Sequence, residues 1–179
     1  MDIIDLNIKV DQAFGNLYRK QCVLIAVKDE SGKILTGAKP AFFPPGVTRL
    51  LGGGVDEGED VMLAASRELE EELGVTISPE RFTPLAQFNT SAVDTDGKEF
   101  YNETFLFGAN IGSSTYRAGD DVKQIVALST KEISALADVY ENLPVSLWYR
   151  GEEGDFSWHD YGKLYSVIHK ITVNKANEF

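Results

Sequence analysis

The sequence predicts an α/β protein in which a mixed β-sheet carries helices on its faces. Three observations lead there. A β-branched apolar run at Gln21–Val27 is followed by a second at Ile34–Ala38; apolar residues recur at helical spacing between Asp60 and Leu73; and further strand-like segments alternate with helical ones down to Ile171.

The elements follow in order. Met1 to about Arg19 is an extension that adds a strand or mediates dimerisation. Lys28-Asp29-Glu30-Ser31-Gly32 joins the two apolar runs as the turn of a hairpin whose first strand is buried. Pro40–Gly46 is a loop, since its adjacent prolines cannot donate to a ladder or continue a helix. From Asp60 the spacing of Met62, Ala65, Leu69 and Leu73 predicts a helix that Gly74 stops in a left-handed conformation. Pro79 and Pro84 punctuate a loop before a strand at Leu85–Thr90. Asp94–Lys98 turns the chain into a long strand at Phe100–Ile111, and Val122–Leu128 is another strand. Ser129-Thr130-Lys131-Glu132 reads as a capping box opening a helix to about Val139. A terminal helix from Asp155 to about Ile171 puts Trp158, Tyr161, Tyr165 and Ile168 on one face, despite Gly162, whose interior position costs about 1 kcal/mol.

Length and composition narrow the function classes. At 179 residues, with 43% apolar and 25% charged residues, the chain fits one domain, residues 1–179, with a buried core. No stretch of 18 apolar residues is present, and the first five residues carry acids where a targeting signal carries bases, so a soluble cytoplasmic protein with no membrane partner is expected. A lone Cys22 forms no internal disulfide, and one cysteine with two histidines builds no ordinary structural zinc site. A net charge of −11 argues against duplex nucleic acid as a partner.

The acids are unevenly placed. Eight lie between Asp56 and Glu72 against a single base, Arg67. Such a run is either a solvated acidic face or a site whose charge bound cations cancel. At about 100° per residue, Glu68, Glu71 and Glu72 share one helix face, and Glu70–Glu72 crowd the last turn, where the macrodipole disfavours negative charge. Arg67 can pair with Glu71 at i+4 yet does not balance the cluster. Carboxylate oxygens without thiolate or imidazole suit Mg²⁺ or Mn²⁺. Ahead of the helix, Gly52-Gly53-Gly54 is either a flexible turn or a backbone free to approach a ligand, with carbonyls for a metal or amides for a phosphate.

Taken as one stretch, Gly53, five residues, Glu59, seven residues and then Arg67-Glu68-Leu69-Glu70-Glu71-Glu72-Leu73-Gly74-Val75 resembles the Nudix box, G-x5-E-x7-R-E-U-x-E-E-x-G-U with U aliphatic. Every specified position is met. The resemblance implies an α/β/α sandwich whose box forms a loop-helix-loop. It also implies Mg²⁺- or Mn²⁺-dependent hydrolysis of a nucleoside diphosphate linked to a further group X. It assigns Glu68, Glu71, Glu72 and the Gly52 carbonyl to the metal, with Arg67 and Glu59 bracing them, and Glu71 or Glu72 as the base for water attack on phosphorus. Asp121, ahead of the Val122–Leu128 strand, stands where some members add a metal ligand, and Glu103 is a further candidate. Leu51 replaces the proline common before the glycine run.

Substrate markers outside the box are absent; Thr90 stands where the proline of ADP-ribose hydrolases is expected. A nucleoside diphosphate derivative, cleaved to a monophosphate and P-X, or a triphosphate cleaved to a monophosphate and pyrophosphate, is the expected small-molecule partner. Gly53, Gly54, Arg49 and Phe43 are the substrate-binding candidates, and Phe42, Tyr101, Trp148 and Trp158 are further aromatics for stacking. Cys22, His159 and His169 read as structural. The alternative is a Nudix domain that binds a nucleotide for regulation without turning it over, although such domains have usually lost box glutamates. Isoprenoid diphosphate isomerisation would need a catalytic cysteine later in the chain than Cys22.

Overall fold

The computed structural model describes residues 1–179. In chain order it contains β1 (Asp2–Lys9), β2 (Gln21–Asp29), β3 (Ile34–Ala38), β4 (Arg49–Leu50), α1 (Val61–Leu73), β5 (Thr83–Val93), β6 (Glu99–Gly112), β7 (Gln124–Leu128), α2 (Thr130–Glu141), β8 (Trp148–Gly151), β9 (Gly154–Ser157) and α3 (Trp158–Asn174). The large sheet runs β1-β5-β6-β2-β3-β4, with β7 on the other side of β3, and β8 and β9 form a separate hairpin. Pairing is mixed: β1 with β5 and β2 with β6 are parallel, the rest antiparallel. No helix is long and apolar enough to cross a membrane.

Strand β2 is apolar without alternation because both its faces are covered. Val23, Ile25 and Val27 pack with Ala65, Leu69 and Leu73 of α1, while Leu24 and Ala26 join the cluster containing Ile133 and Tyr140 of α2 and Tyr161 and Leu164 of α3. Helices therefore cover both faces of the sheet, α1 on one and α2 with α3 on the other.

One irregularity in this sheet positions the site. β2 pairs with β3 over only two residue pairs, Val27 with Leu35 and Lys28 with Ile34. Beyond them the strands part, and residues 49–54 enter the fork. Arg49 and Leu50 pair with β3, whereas the Leu51 and Gly53 carbonyls accept from Ile25 and Val23 of β2 at 2.8 and 2.9 Å. Strand alternation then turns the amide and carbonyl of Gly52 away from β2.

Helix α1 follows its local signals. The Asp60 carboxylate accepts from the Met62 and Leu63 amides, and Gly74 closes the helix at φ 69° with its amide on the Glu70 carbonyl. The Ser129–Glu132 box caps α2 reciprocally, and that helix runs on to Glu141.

Several element ends run two or three residues past expectation, and three starts differ for an identifiable reason. Pro84 lies inside β5, at the irregularity between Pro84 and Ala86, where the ladder spares an N–H. β7 begins at Gln124, because Val122 is drawn into the core beside α1. The terminal helix starts at Trp158: Asp155–Ser157 instead form β9, held to β8 by the Arg150–Asp155 ion pair (2.8 Å) and the stacked rings of Tyr149 and Phe156. Hairpin pairing overrides the helical spacing there, and the turn between the two strands carries Glu152 and Glu153.

Gly162 has a packing reason. A Cβ at this position would run into the Tyr140 carbonyl, so the glycine lets α2 and α3 approach closely. Gly162→Ala should therefore destabilise the protein by about 2 kcal/mol in urea unfolding, although helix propensity alone predicts a gain of about 1 kcal/mol.

His169 is fully buried and stacked on Tyr140. Its Nδ1 lies 2.6 Å from the Tyr165 carbonyl, and its Nε2 has no partner. Burial lowers its pKa to about 4. The unfolded chain takes up this proton near pH 6.5, so native stability falls as pH drops from there toward 4. Urea titrations across that window should show a loss of about 3 kcal/mol that is missing in His169→Phe.

Candidate active site

The glycine run, the exposed face of α1 and the loop that follows β3 surround a cavity of about 520 Å³. Gly52 is its hinge. With φ at 128°, and with the Val23 carbonyl where a Cβ would stand, this position admits only glycine. Its amide donates to Glu72 Oε2 at 2.7 Å, and its carbonyl accepts from Arg49 Nη2 at 2.6 Å. A Cβ on Gly53 would stand 2.6 Å from the Glu68 carboxylate, and one on Gly54 would collide with the Arg19 guanidinium.

Arg67 is the internal counterion of the acidic helix. Its Nε and Nη2 grip both oxygens of Glu59 at 3.0 and 2.9 Å, Nη1 reaches Glu68 at 2.8 Å and Glu71 at 3.4 Å, and Nη2 also donates to the Gly54 carbonyl. Glu59 is consequently held below the usual carboxylate range by the Arg67 hydrogen bond. Glu68 and Glu72 shift the other way, because burial raises both, more than Arg67 in the first case and Arg49 in the second offset. Glu71, the most open of the three, has a side chain 47% exposed, against 12% for Glu68 and 4% for Glu72.

The loop between β6 and β7 completes the acidic side. The Arg117 and Gly119 amides cap the Leu73 and Glu72 carbonyls at the end of α1, which brings Asp121 to the cavity. Between Asp121 and Glu72 lies the Lys39 ammonium, 2.5 Å from the first and 3.5 Å from the second. With the glutamates turned to Arg67 and Lys39, no three acidic, histidine or cysteine side chains surround a common point.

The NUDIX domain family model matches residues 18–164, more than half of the chain. The chain belongs to the Nudix hydrolase family. Two solved structures agree on the fold. The NUDIX domain of NrtR from Shewanella oneidensis, complexed with ADP-ribose, is 17% identical over 64% of this chain and 75% of its own (TM-score 0.50). Dihydroneopterin triphosphate pyrophosphohydrolase from E. coli is 16% identical over 70% of this chain and 88% of its own (TM-score 0.51). A MutT/nudix family protein from Enterococcus faecalis is 28% identical over 61% of this chain (TM-score 0.49), and the match spans 43% of that protein's length. No curated protein matches.

Within this Nudix fold, Glu68, Glu71, Glu72, Gly52, Gly53, Gly54, Arg49 and Asp121 all line one cavity, and Arg67 with Glu59 stands directly behind the glutamates. Phe43 does not line it. The ring is 5% exposed and packs on Trp158 and Tyr161, so Phe42 takes the place on the wall, beside Tyr149 at 4.8 Å between centroids. Adjacent residues of the loop point opposite ways, which the Phe-Phe pair alone does not resolve. Glu103 lies on β6 among Gln21, Gln87 and Tyr101, away from the cavity. Lys39, Arg19, Asn16, Tyr161 and Tyr165 of the wall escaped the sequence reading, since no local motif links them to the box. Removing the counterion in Arg67→Met should destabilise the Nudix fold by about 1–3 kcal/mol in urea unfolding, because Glu59 and Glu68 lose their partner.

Proposed function

We propose that the chain, as one domain over residues 1–179, is a cytoplasmic metal-dependent hydrolase that cleaves the diphosphate linkage of a nucleoside diphosphate derivative. The observation that carries this reading is the complete box folded so that Glu68, Glu71 and Glu72 face a cavity whose other walls bring Arg19, Lys39 and Arg49, the rings of Phe42 and Tyr149, and further carboxylates to it.

The donor set fits Mg²⁺ or Mn²⁺: hard carboxylate oxygens, two of them on side chains largely withdrawn from water, beside the Gly52 carbonyl. Lys39, poised between Glu72 and Asp121, marks where positive charge is called for. Glu68, Glu71, Glu72 and the Gly52 carbonyl would hold the ion, with Asp121 as an additional ligand. When bound, it would neutralise the diphosphate oxygens and acidify water.

The chain's own groups do the rest. Arg67 and Glu59 hold the glutamates in register with the glycine run. Glu71, loosely tied at 3.4 Å and open to solvent, takes the proton of the attacking water as oxygen adds to phosphorus and the bridging P–O bond breaks, the electron pair leaving with the departing phosphate. Phe42 and Tyr149 offer ring faces to a planar base. A regulatory domain that only binds nucleotide is disfavoured by retention of every box glutamate.

A panel of nucleoside triphosphates, nucleoside diphosphate sugars and dinucleotides, assayed with Mg²⁺ and Mn²⁺, should release monophosphate. Glu71→Gln should lower kcat by about 100-fold or more with KM little changed. Chelation should abolish turnover, and added Mg²⁺ or Mn²⁺ should restore it. Saturable nucleotide binding without turnover in either metal would favour the regulatory reading instead.

A further inference from the structure

The wall of the cavity opposite the acidic helix includes Arg49, Tyr161, Tyr165 and Asn16, none of which belongs to the box. Tyr161 is 2% exposed, yet its hydroxyl is buried with no hydrogen-bond partner. Such a group is costly to leave unpaired, so its retention calls for a reason. Arg49 stands beside it, with the guanidinium 5.9 Å from the centre of the Tyr165 ring, itself stacked on Tyr161 at 4.2 Å. Arg49 donates to the Gly52 and Leu50 carbonyls and makes no carboxylate ion pair. A buried hydroxyl and a guanidinium with N–H groups engaged by no carboxylate therefore share one concave surface.

The hydrogen-bond inventory of this wall is one-sided. Asn16 Oδ1 already accepts from the Tyr165 hydroxyl at 2.8 Å, and Asn16 Nδ2 faces the Thr104 hydroxyl at 3.5 Å. What remains is the Tyr161 hydroxyl and the guanidinium N–H groups: donors beside a positive charge, with the phenolic oxygens of Tyr161 and Tyr165 as weak acceptors. A sugar carries no charge to meet the guanidinium and would find only phenolic oxygens as acceptors for its hydroxyls. A terminal phosphoryl group presents acceptor oxygens and negative charge, and suits both partners.

We infer that Arg49 and Tyr161 form a specificity subsite for a terminal phosphoryl group, so that the substrate enters phosphate-first and nucleoside triphosphates are preferred to nucleoside diphosphate sugars. The subsite adjoins the box through Gly52, whose carbonyl Arg49 holds, so the phosphoryl group gripped there neighbours the one facing Glu68 and Glu72. Phe42 and Tyr149, both half-buried, then receive the base toward the mouth. The preference among substrates rests on the hydrolase reading; the binding of a phosphoryl group does not.

Tyr161→Phe separates this role from a structural one because the two predict different things. Deleting an unpartnered buried hydroxyl should leave the melting temperature unchanged or raise it by about 2–4 °C. Inorganic pyrophosphate, titrated calorimetrically into the full chain in Mg²⁺ buffer, should bind saturably to the wild type and about tenfold more weakly to the variant. Arg49→Lys, which keeps the charge but loses the planar fork, serves as the second variant and should also weaken pyrophosphate binding. In turnover, the wild type should favour triphosphates by kcat/KM, and Tyr161→Phe should raise KM for them while sparing nucleoside diphosphate sugars. Equal pyrophosphate affinity in wild type and both variants, or a wild-type preference for sugar derivatives, would overturn the subsite. If no substrate is turned over but the loss of pyrophosphate affinity persists, the subsite stands and the hydrolase reading falls.

Discussion

The hydrogen bond from the Gly52 amide to the buried Glu72 carboxylate ties the acidic helix to the sheet, and the rest of the site is arranged around it. It exists because β2 and β3 part after two residue pairs and let residues 49–54 into the fork. Strand alternation there sends the groups of Leu51 and Gly53 to β2 and those of Gly52 to the opposite side. The same residue thus offers a donor to Glu72 and an acceptor to Arg49, which links the two halves of the cavity through one glycine.

Charge is managed in the same compact way. Like charges along the last turns of a helix are unfavourable, and α1 tolerates them through one guanidinium that engages three carboxylates and a backbone carbonyl at once. The bidentate hold on Glu59 fixes the arginine, so its remaining donors face Glu68 and Glu71 in a set geometry. Burial works against the charge on Glu68 and Glu72 while Arg67, Arg49 and Lys39 work for it, leaving carboxylates that gain from any cation placed among them.

Legibility in the sequence followed the range of the interactions. Helix α1, its Asp60 and Gly74 caps, the Ser129–Glu132 box and the β2–β3 hairpin are set by neighbours within a few residues, and their signals are visible in the chain. Glu68, Glu71 and Glu72 were readable for the same reason, since one helix carries all three, whereas Asp120, Glu152 and Glu153 reach the cavity from other loops. Of the opposite wall, Arg49 and Phe42 were readable as candidates and the rest was not. Arg49, Tyr161 and Asn16 come from three distant segments, and only the packing of α3 against the sheet brings them together. Local periodicity also misplaced the start of α3, because the pairing of β8 with β9 is decided by residues on the far strand and by ring stacking. Nothing local to the Phe42-Phe43 pair indicates which ring turns toward the cavity.

Three consecutive glycines each exclude a side chain for a different cause: a backbone carbonyl of β2 at Gly52, the Glu68 carboxylate at Gly53, and the Arg19 guanidinium at Gly54. Gly52 is therefore fixed by backbone, whereas a side chain at Gly53 or Gly54 would displace the end of Glu68 or Arg19 and so disturb the site before the fold. Divergence of a fold like this one is left to the walls that meet the run from elsewhere, the loop carrying Lys39 and Phe42, the loop carrying Asp121, and the inward face of α3. The chemistry is frozen at the hinge, and novelty enters from the rim.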